Sequence, residues 1–202
     1  MKNNPITNEE SNSSSISFAF EFQAFSLMNK GKVREHNEDA IAFLPEHNFF
    51  AIADGMGGFI DGGQTADTVV NIIPNIVNDI QKQLMPNASP TKLGEFFLER
   101  IKILSDNIAK NGNLGHAGIF GTTLTSVCFI NKTAVFTNLG DSRAYILNKK
   151  GKLQQITKDH SIIAILLEQG TITLEEIDDH PASGQLTRFV GMPSPALPEM
   201  FV

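Results

Sequence analysis

The order of elements along this sequence predicts an α+β layered fold built on antiparallel sheets. Three observations carry that reading. Short alternating apolar runs follow one another across tight turns, the pattern of antiparallel pairing. Two long amphipathic stretches stand together between two groups of such runs. Strand and helix do not alternate along the chain as a doubly wound parallel sheet requires.

Residues 1–15, MKNNPITNEESNSSS, are rich in Asn and Ser and read as a disordered polar tail, with one domain over 16–202. Ser17 to Phe25 alternates apolar and polar residues and is expected to be a half-buried strand. Asn29 to Lys32 is a turn. Ala40 to Leu44 and Asn48 to Ala53 predict the next two strands, broken by Pro45. Asp54 to Gly63, DGMGGFIDGG, reads as a glycine-rich loop.

The first helix carries Val69, Ile73, Ile76, Val77, Ile80 and Leu84 on one stripe, with Pro74 as a candidate kink. The second is capped by Ser89, opened by Pro90, and lined by Leu93, Phe97, Ile101, Leu104 and Ile108. A glycine-rich loop over Asn111–Gly118 leads into a meander: Thr122–Ile130, Thr133–Leu139, Arg143–Leu147 and Lys152–Ile156. Ser161 starts a short helix that Gly170 ends, and Thr173 with Glu176 forms a capping-box pattern. From Met192 onward the chain reads as a proline-rich tail.

Composition narrows the function. The chain has 202 residues, 41% of them hydrophobic and 19% charged, enough apolar material for a core. Sixteen Lys and Arg against 22 Asp and Glu give a net charge of −6, which argues against nucleic acid as a partner. The single Cys128 excludes a disulfide scaffold and a multi-cysteine zinc site, and its apolar neighbours make it core filler. The opening residues lack the apolar stretch of a signal peptide, and no run approaches the length of a membrane span. A cytoplasmic protein without membrane insertion is expected.

The acidic residues cluster at strand ends. Arg34-Glu35-His36-Asn37-Glu38-Asp39 leads into one strand, Asp54 ends the next, and Asp141 sits in the break between two meander strands. Taken singly, each is an ordinary surface or turn residue. Hard carboxylates on loops held by a rigid sheet suit Mg²⁺ or Mn²⁺. No Walker or GxGxxG phosphate cradle and no HExxH zinc pattern is present.

Six segments in one order carry a resemblance: GKVREHNEDA at 31–40, FFAIADGMGG at 49–58, GTTLTSV at 121–127, NLGDSRAYIL at 138–147, TKDHS at 157–161 and HPASGQLTRFVG at 180–191. Together they resemble the metal-dependent protein phosphatases (PPM, the type 2C serine/threonine phosphatases) of bacterial type. The resemblance implies an antiparallel β-sandwich flanked by helix pairs. It implies hydrolysis of phosphoserine and phosphothreonine by water activated at a centre of two or three Mg²⁺ or Mn²⁺ ions. Asp54 would bridge two metals, the Gly55 carbonyl would bind one, and Asp141 would help to hold a further ion. Glu38 and Asp39 would hold metal-bound waters, and Arg34 would grip the substrate phosphate.

Phosphorylated proteins are the implied substrates, with a serine/threonine kinase acting in opposition. The family continues beyond the LTRFVG segment with motifs supplying two more aspartates. The domain is therefore expected to be incomplete at its C-terminus, with an exposed sheet edge. The alternative function is a truncated or non-catalytic relative that binds phosphoproteins or acts as a regulator.

Overall fold

The computed structural model describes residues 23–56, 60–84, 88–112, 121–130, 132–193 and 196–202. Among the described residues, eight strands and three α-helices follow in the order β1 (Asp39–Leu44), β2 (Phe49–Met56), α1 (Ile60–Leu84), α2 (Pro90–Gly112), β3 (Gly121–Thr122), β4 (Leu124–Ile130), β5 (Thr133–Leu139), β6 (Tyr145–Leu147), β7 (Leu153–Gln155), α3 (Ile162–Glu168) and β8 (Glu199–Phe201). One antiparallel sheet has the order β1-β2-β4-β5-β8, with β3 paired to β2, and a second consists of β6 and β7.

The α1/α2 pair packs on one face of the large sheet. Alternation along β2 decides which face: Phe49, Ala51 and Ala53 are buried toward the helices, while Phe50, Ile52 and Asp54 point the other way. The stripes read from the sequence are the buried ones. Val69, Ile73, Ile76, Val77 and Ile80 of α1 and Leu93, Phe97, Ile101 and Leu104 of α2 all lie in the core. Phe97 tilts against Phe49 with ring centroids 5.1 Å apart. Pro74 lies inside α1 without ending it. Ser89 caps α2 as expected, its hydroxyl accepting from the Lys92 backbone N–H at 3.2 Å. None of the helices described is long and apolar enough to cross a membrane.

Several boundaries differ from the sequence reading. The stretch 54–63 is not a continuous loop. Its first three residues extend β2 and Ile60 already begins α1. Gly55 shows why glycine stands there: a Cβ would lie 2.4 Å from the Gly62 carbonyl oxygen and 2.7 Å from that of Glu38. Glycine here permits close backbone packing more than loop flexibility.

Of the strand expected over Ser17–Phe25, residues 17–22 lie outside the described residues, and Gln23 to Phe25 are not in a strand. The tail 1–15 and the loop residues 113–118 are likewise outside, while Asn111 and Gly112 belong to α2. The run Thr122–Ile130 is broken at Thr123, and β6 and β7 are shorter than expected.

The tail after Met192 contributes β8, which pairs with β5 through Phe136↔Phe201, Thr137↔Met200 and Asn138↔Glu199. That part of β5 is covered, and among the described residues the large sheet ends on β1 and β8.

Two isoleucines of α2 separate core packing from helix content. Ile101 is 1% exposed and Ile103 is 45% exposed. Ile101→Ala is expected to cost about 2–5 kcal/mol through lost transfer energy and a residual cavity. Ile103→Ala should cost under about 1 kcal/mol. Urea unfolding followed by circular dichroism measures both; equal losses would place α2 in the wrong rotation.

Candidate metal centre

The carboxylates singled out in the sequence meet at one end of the large sheet, on the face away from α1 and α2. The register of β1 on β2 sets Asp39 directly opposite Asp54. Like charges facing each other across a strand pair are unfavourable. Glu38 precedes Asp39, and its carbonyl accepts from the Gly55 N–H at 3.0 Å. Asp141 enters from the loop after β5.

Asp54 shows the electrostatic result. Its carboxyl is held above the usual carboxylate range, first by lost hydration among its neighbours, then by the charges of Asp39 and Asp141. Arg34 pulls it back down, and Glu38 pushes it up. Asp141 is also raised, mainly by burial and in part by Asp159, against a backbone hydrogen bond and Arg143, which lower it.

Arg34 lies on an exposed segment before β1. Its Nη1 donates to Glu38 Oε2 at 2.7 Å, and its side chain is 68% exposed. An ion pair this open contributes little stability. The remaining guanidinium donors are free of that bond and stand within electrostatic reach of Asp54.

The sequence reading did not single out the polar frame behind these groups. The Asp54 N–H donates to Thr123 Oγ1 at 3.0 Å, and the Thr123 N–H donates to the Asp54 carbonyl at 2.9 Å. Thr123 Oγ1 is 2.7 Å from Ser142 Oγ. Asn138 Nδ2 donates to the carbonyls of Gly140 and Lys158. The Gly140 N–H donates to His160 Nδ1 at 3.1 Å, and Arg143 makes a two-point pair with Asp159. Apart from Asp54, these residues lie within the GTT, NLGDSR and TKDHS strings, so their motifs were visible although their contacts were not. Cys128 is buried, and its thiol is pushed up to about 12, which makes it inert at neutral pH.

The donor set is all oxygen, which fits a hard divalent cation. Among the described residues, no three carboxylate, histidine or cysteine side chains form a ready-made ligand group. An ion here would draw on backbone carbonyl oxygen and water as well, as Mg²⁺ commonly does.

Such an acidic sheet end beside an arginine offers oxygen atoms to a hard cation and a guanidinium to a phosphate. The profile of the protein phosphatase 2C family matches residues 23–164, and the chain belongs to that family. The serine/threonine phosphatase stp of Listeria welshimeri is 28% identical over 179 residues, covering 86% of this chain and 69% of its own length. The crystal structure of serine/threonine phosphatase Stp1 from Staphylococcus aureus superposes with a TM-score of 0.72 at 26% identity, over 90% of this chain and 74% of that one.

The catalytic domain of serine threonine protein phosphatase PstP, solved with two manganese ions, superposes with a TM-score of 0.66 at 27% identity, over 84% of this chain and 66% of that one. The fold is the α+β PPM fold, and the chain is a protein serine/threonine phosphatase.

The raised carboxyls predict a measurable cost in the metal-free chain. A carboxyl whose folded value is raised destabilises the fold above that value. The penalty fades as pH falls to the ordinary carboxylate range, where both states are protonated. In EDTA at neutral pH, Asp54→Asn should therefore melt at a higher temperature than wild type. The difference should shrink as pH falls toward the usual carboxylate value. Thermal melts across that range check the sign; a less stable Asp54→Asn at neutral pH would contradict it.

Proposed function

We propose that this chain hydrolyses phosphoserine and phosphothreonine in proteins at a Mg²⁺ or Mn²⁺ centre built on Asp54, the Gly55 carbonyl and Asp141. The observation that carries the reading is the β1/β2 register, which sets Asp39 against Asp54 beside Arg34. A cation relieves the repulsion that the register creates. Bound there, such ions supply Lewis acidity that makes water nucleophilic near neutral pH and offset phosphoryl charge.

The chain's own residues do the rest. Asp54 would provide a negative oxygen ligand from the end of β2, and Asp141 another from the loop after β5. Glu38 and Asp39 accept hydrogen bonds from water and orient it. Arg34 offers parallel donors to a phosphate dianion and keeps its charge at any working pH. To do so it gives up or shares its bond to Glu38, a small cost for an exposed pair. Among these groups the reaction requires no protein nucleophile. The substrate class implies a serine/threonine kinase that supplies the phosphoprotein. A kinase draws on ATP, which supports a cytoplasmic setting for the pair.

Hydrolysis of a phosphothreonine peptide should require Mn²⁺ or Mg²⁺ and stop in EDTA. Titration calorimetry should show Asp54→Asn losing metal affinity; equal affinity would remove Asp54 from the centre.

Arg34→Ala should leave metal affinity nearly unchanged and lower kcat/KM about ten- to a hundred-fold, since a charge-assisted contact is worth roughly 1.5–3 kcal/mol. Arg34→Lys should recover part of the loss. Steady-state kinetics with metal binding measured separately decides it. An unchanged kcat/KM in Arg34→Ala means the phosphate is held elsewhere.

A further inference from the structure

We propose that Thr123 is a positioning residue of the phosphatase centre, fixing Asp54 and the Asp141 loop relative to one another. The proposal rests on the reading of Asp54 and Asp141 as metal ligands and adds the group that sets their separation.

Thr123 occupies the break between β3 and β4 and is 2% exposed. It holds Asp54 on two sides. Its hydroxyl oxygen accepts from the Asp54 N–H at 3.0 Å, and its own N–H donates to the Asp54 carbonyl at 2.9 Å. The backbone from which the Asp54 side chain springs is thereby fixed. On its other side, Thr123 Oγ1 lies 2.7 Å from Ser142 Oγ, one residue beyond Asp141. Thr125 touches Ser142 at a second point: its hydroxyl, 2.6 Å from Asn138 Oδ1, shares its one hydrogen with the Ser142 carbonyl at 3.0 Å.

Packing reinforces the link. Gly140 has φ +121°, and a Cβ there would lie 2.6 Å from both Cβ and Cγ2 of Thr123. The loop that carries Asp141 therefore rests directly on the Thr123 side chain.

Proton accounting gives the direction of the Thr123–Ser142 bond. A hydroxyl has one hydrogen and two lone pairs. One lone pair of Thr123 receives the Asp54 N–H. Thr123 is the more deeply buried partner, and a buried donor left unmade is costly. Thr123 therefore donates to Ser142. The half-buried Ser142 is left to turn its own hydrogen toward the open side.

Binding of Mn²⁺ to the full 202-residue chain, measured by titration calorimetry beside thermal melts, tests the proposal. Thr123→Val keeps the shape and removes the hydroxyl. It should weaken Mn²⁺ binding about ten-fold or more, the range seen when groups that orient metal ligands are lost. Thr123→Ser should return affinity close to wild type. A purely structural threonine would lower the melting temperature and leave the affinity of the folded chain unchanged.

Ser142→Ala should weaken binding less, and the double variant should be no worse than Thr123→Val alone, because both act through one link. Asp54→Asn is the control. If it loses Mn²⁺ while a folded Thr123→Val binds like wild type, the positioning role is wrong and the metal site stands. If Asp54→Asn binds like wild type, the site reading fails and the positioning role fails with it. A Thr123→Ser as weak as Thr123→Val overturns the hydroxyl's role. Should Thr123→Val not fold, wild-type affinity in Ser142→Ala overturns the link.

Discussion

The pairing of β1 with β2 is the constraint from which the rest of the centre follows. Leu44 pairs with Phe49 across a single 3₁₀ turn opened by Pro45, and Asn48 turns the chain with φ 50°. A slip of one residue would carry Ala40 and Ala42 out of the core and drive Asp39 against the helices. Burial of those alanines beneath α1 therefore enforces the register. The register in turn forces Asp39 and Asp54 together. Hydrophobic packing on one face thus offsets electrostatic repulsion on the other, and the repulsion makes the sheet end a place where a cation is welcome.

Behind the carboxylates lies a layer of neutral polar groups. Thr125 Oγ1 lies 2.6 Å from Asn138 Oδ1, and both residues are buried. Asn138 reaches the Gly140 and Lys158 carbonyls, and His160 is bonded to Gly140 at both its ring Nδ1 and its backbone N–H. Burial and then the nearby Arg188 lower the His160 ring's affinity for a proton, against Glu199 and Asp159, which raise it, and its Nδ1 accepts from the Gly140 N–H. A layer of uncharged groups is buried at less cost than charges, and most of its polar atoms are bonded; His160 Nε2 is the exception among those named, with no hydrogen-bond partner. The layer gives the charged ligands a stiff support without adding to their repulsion.

The C-terminal segment completes this support. β8 runs along β5 at Asn138, and Glu199 accepts from Arg188 Nη1 at 2.8 Å while standing 3.6 Å from His160 Nε2. The LTRFVG segment is tied in as well, since Val190 and Thr122 exchange backbone hydrogen bonds and the Gly191 N–H donates to Ser105 on α2. Strands distant in sequence therefore converge on the polar layer beneath Asp54 and Asp141.

Local periodicity determined much of this in the sequence alone. The α1 and α2 stripes, the Ser89 and Ser161 caps, the Thr173/Glu176 capping box and the β4–β5 meander were legible because each depends on residues a few positions apart. The candidate ligands were legible because six ordered motifs carried them. Other features depend on residues far apart and could not be read locally. The glycines of 54–63 looked like a loop, yet Gly55 is required by the approach of Gly62 and Glu38. The tail looked irregular, yet β5 offered Glu199–Phe201 an edge to pair with. Thr123 looked like part of a strand, and only the folded chain brings its hydroxyl to Asp54, 69 positions earlier in the chain, and to Ser142, 19 positions later. Sequence spacing fixes what a residue offers; tertiary packing decides which distant group receives it.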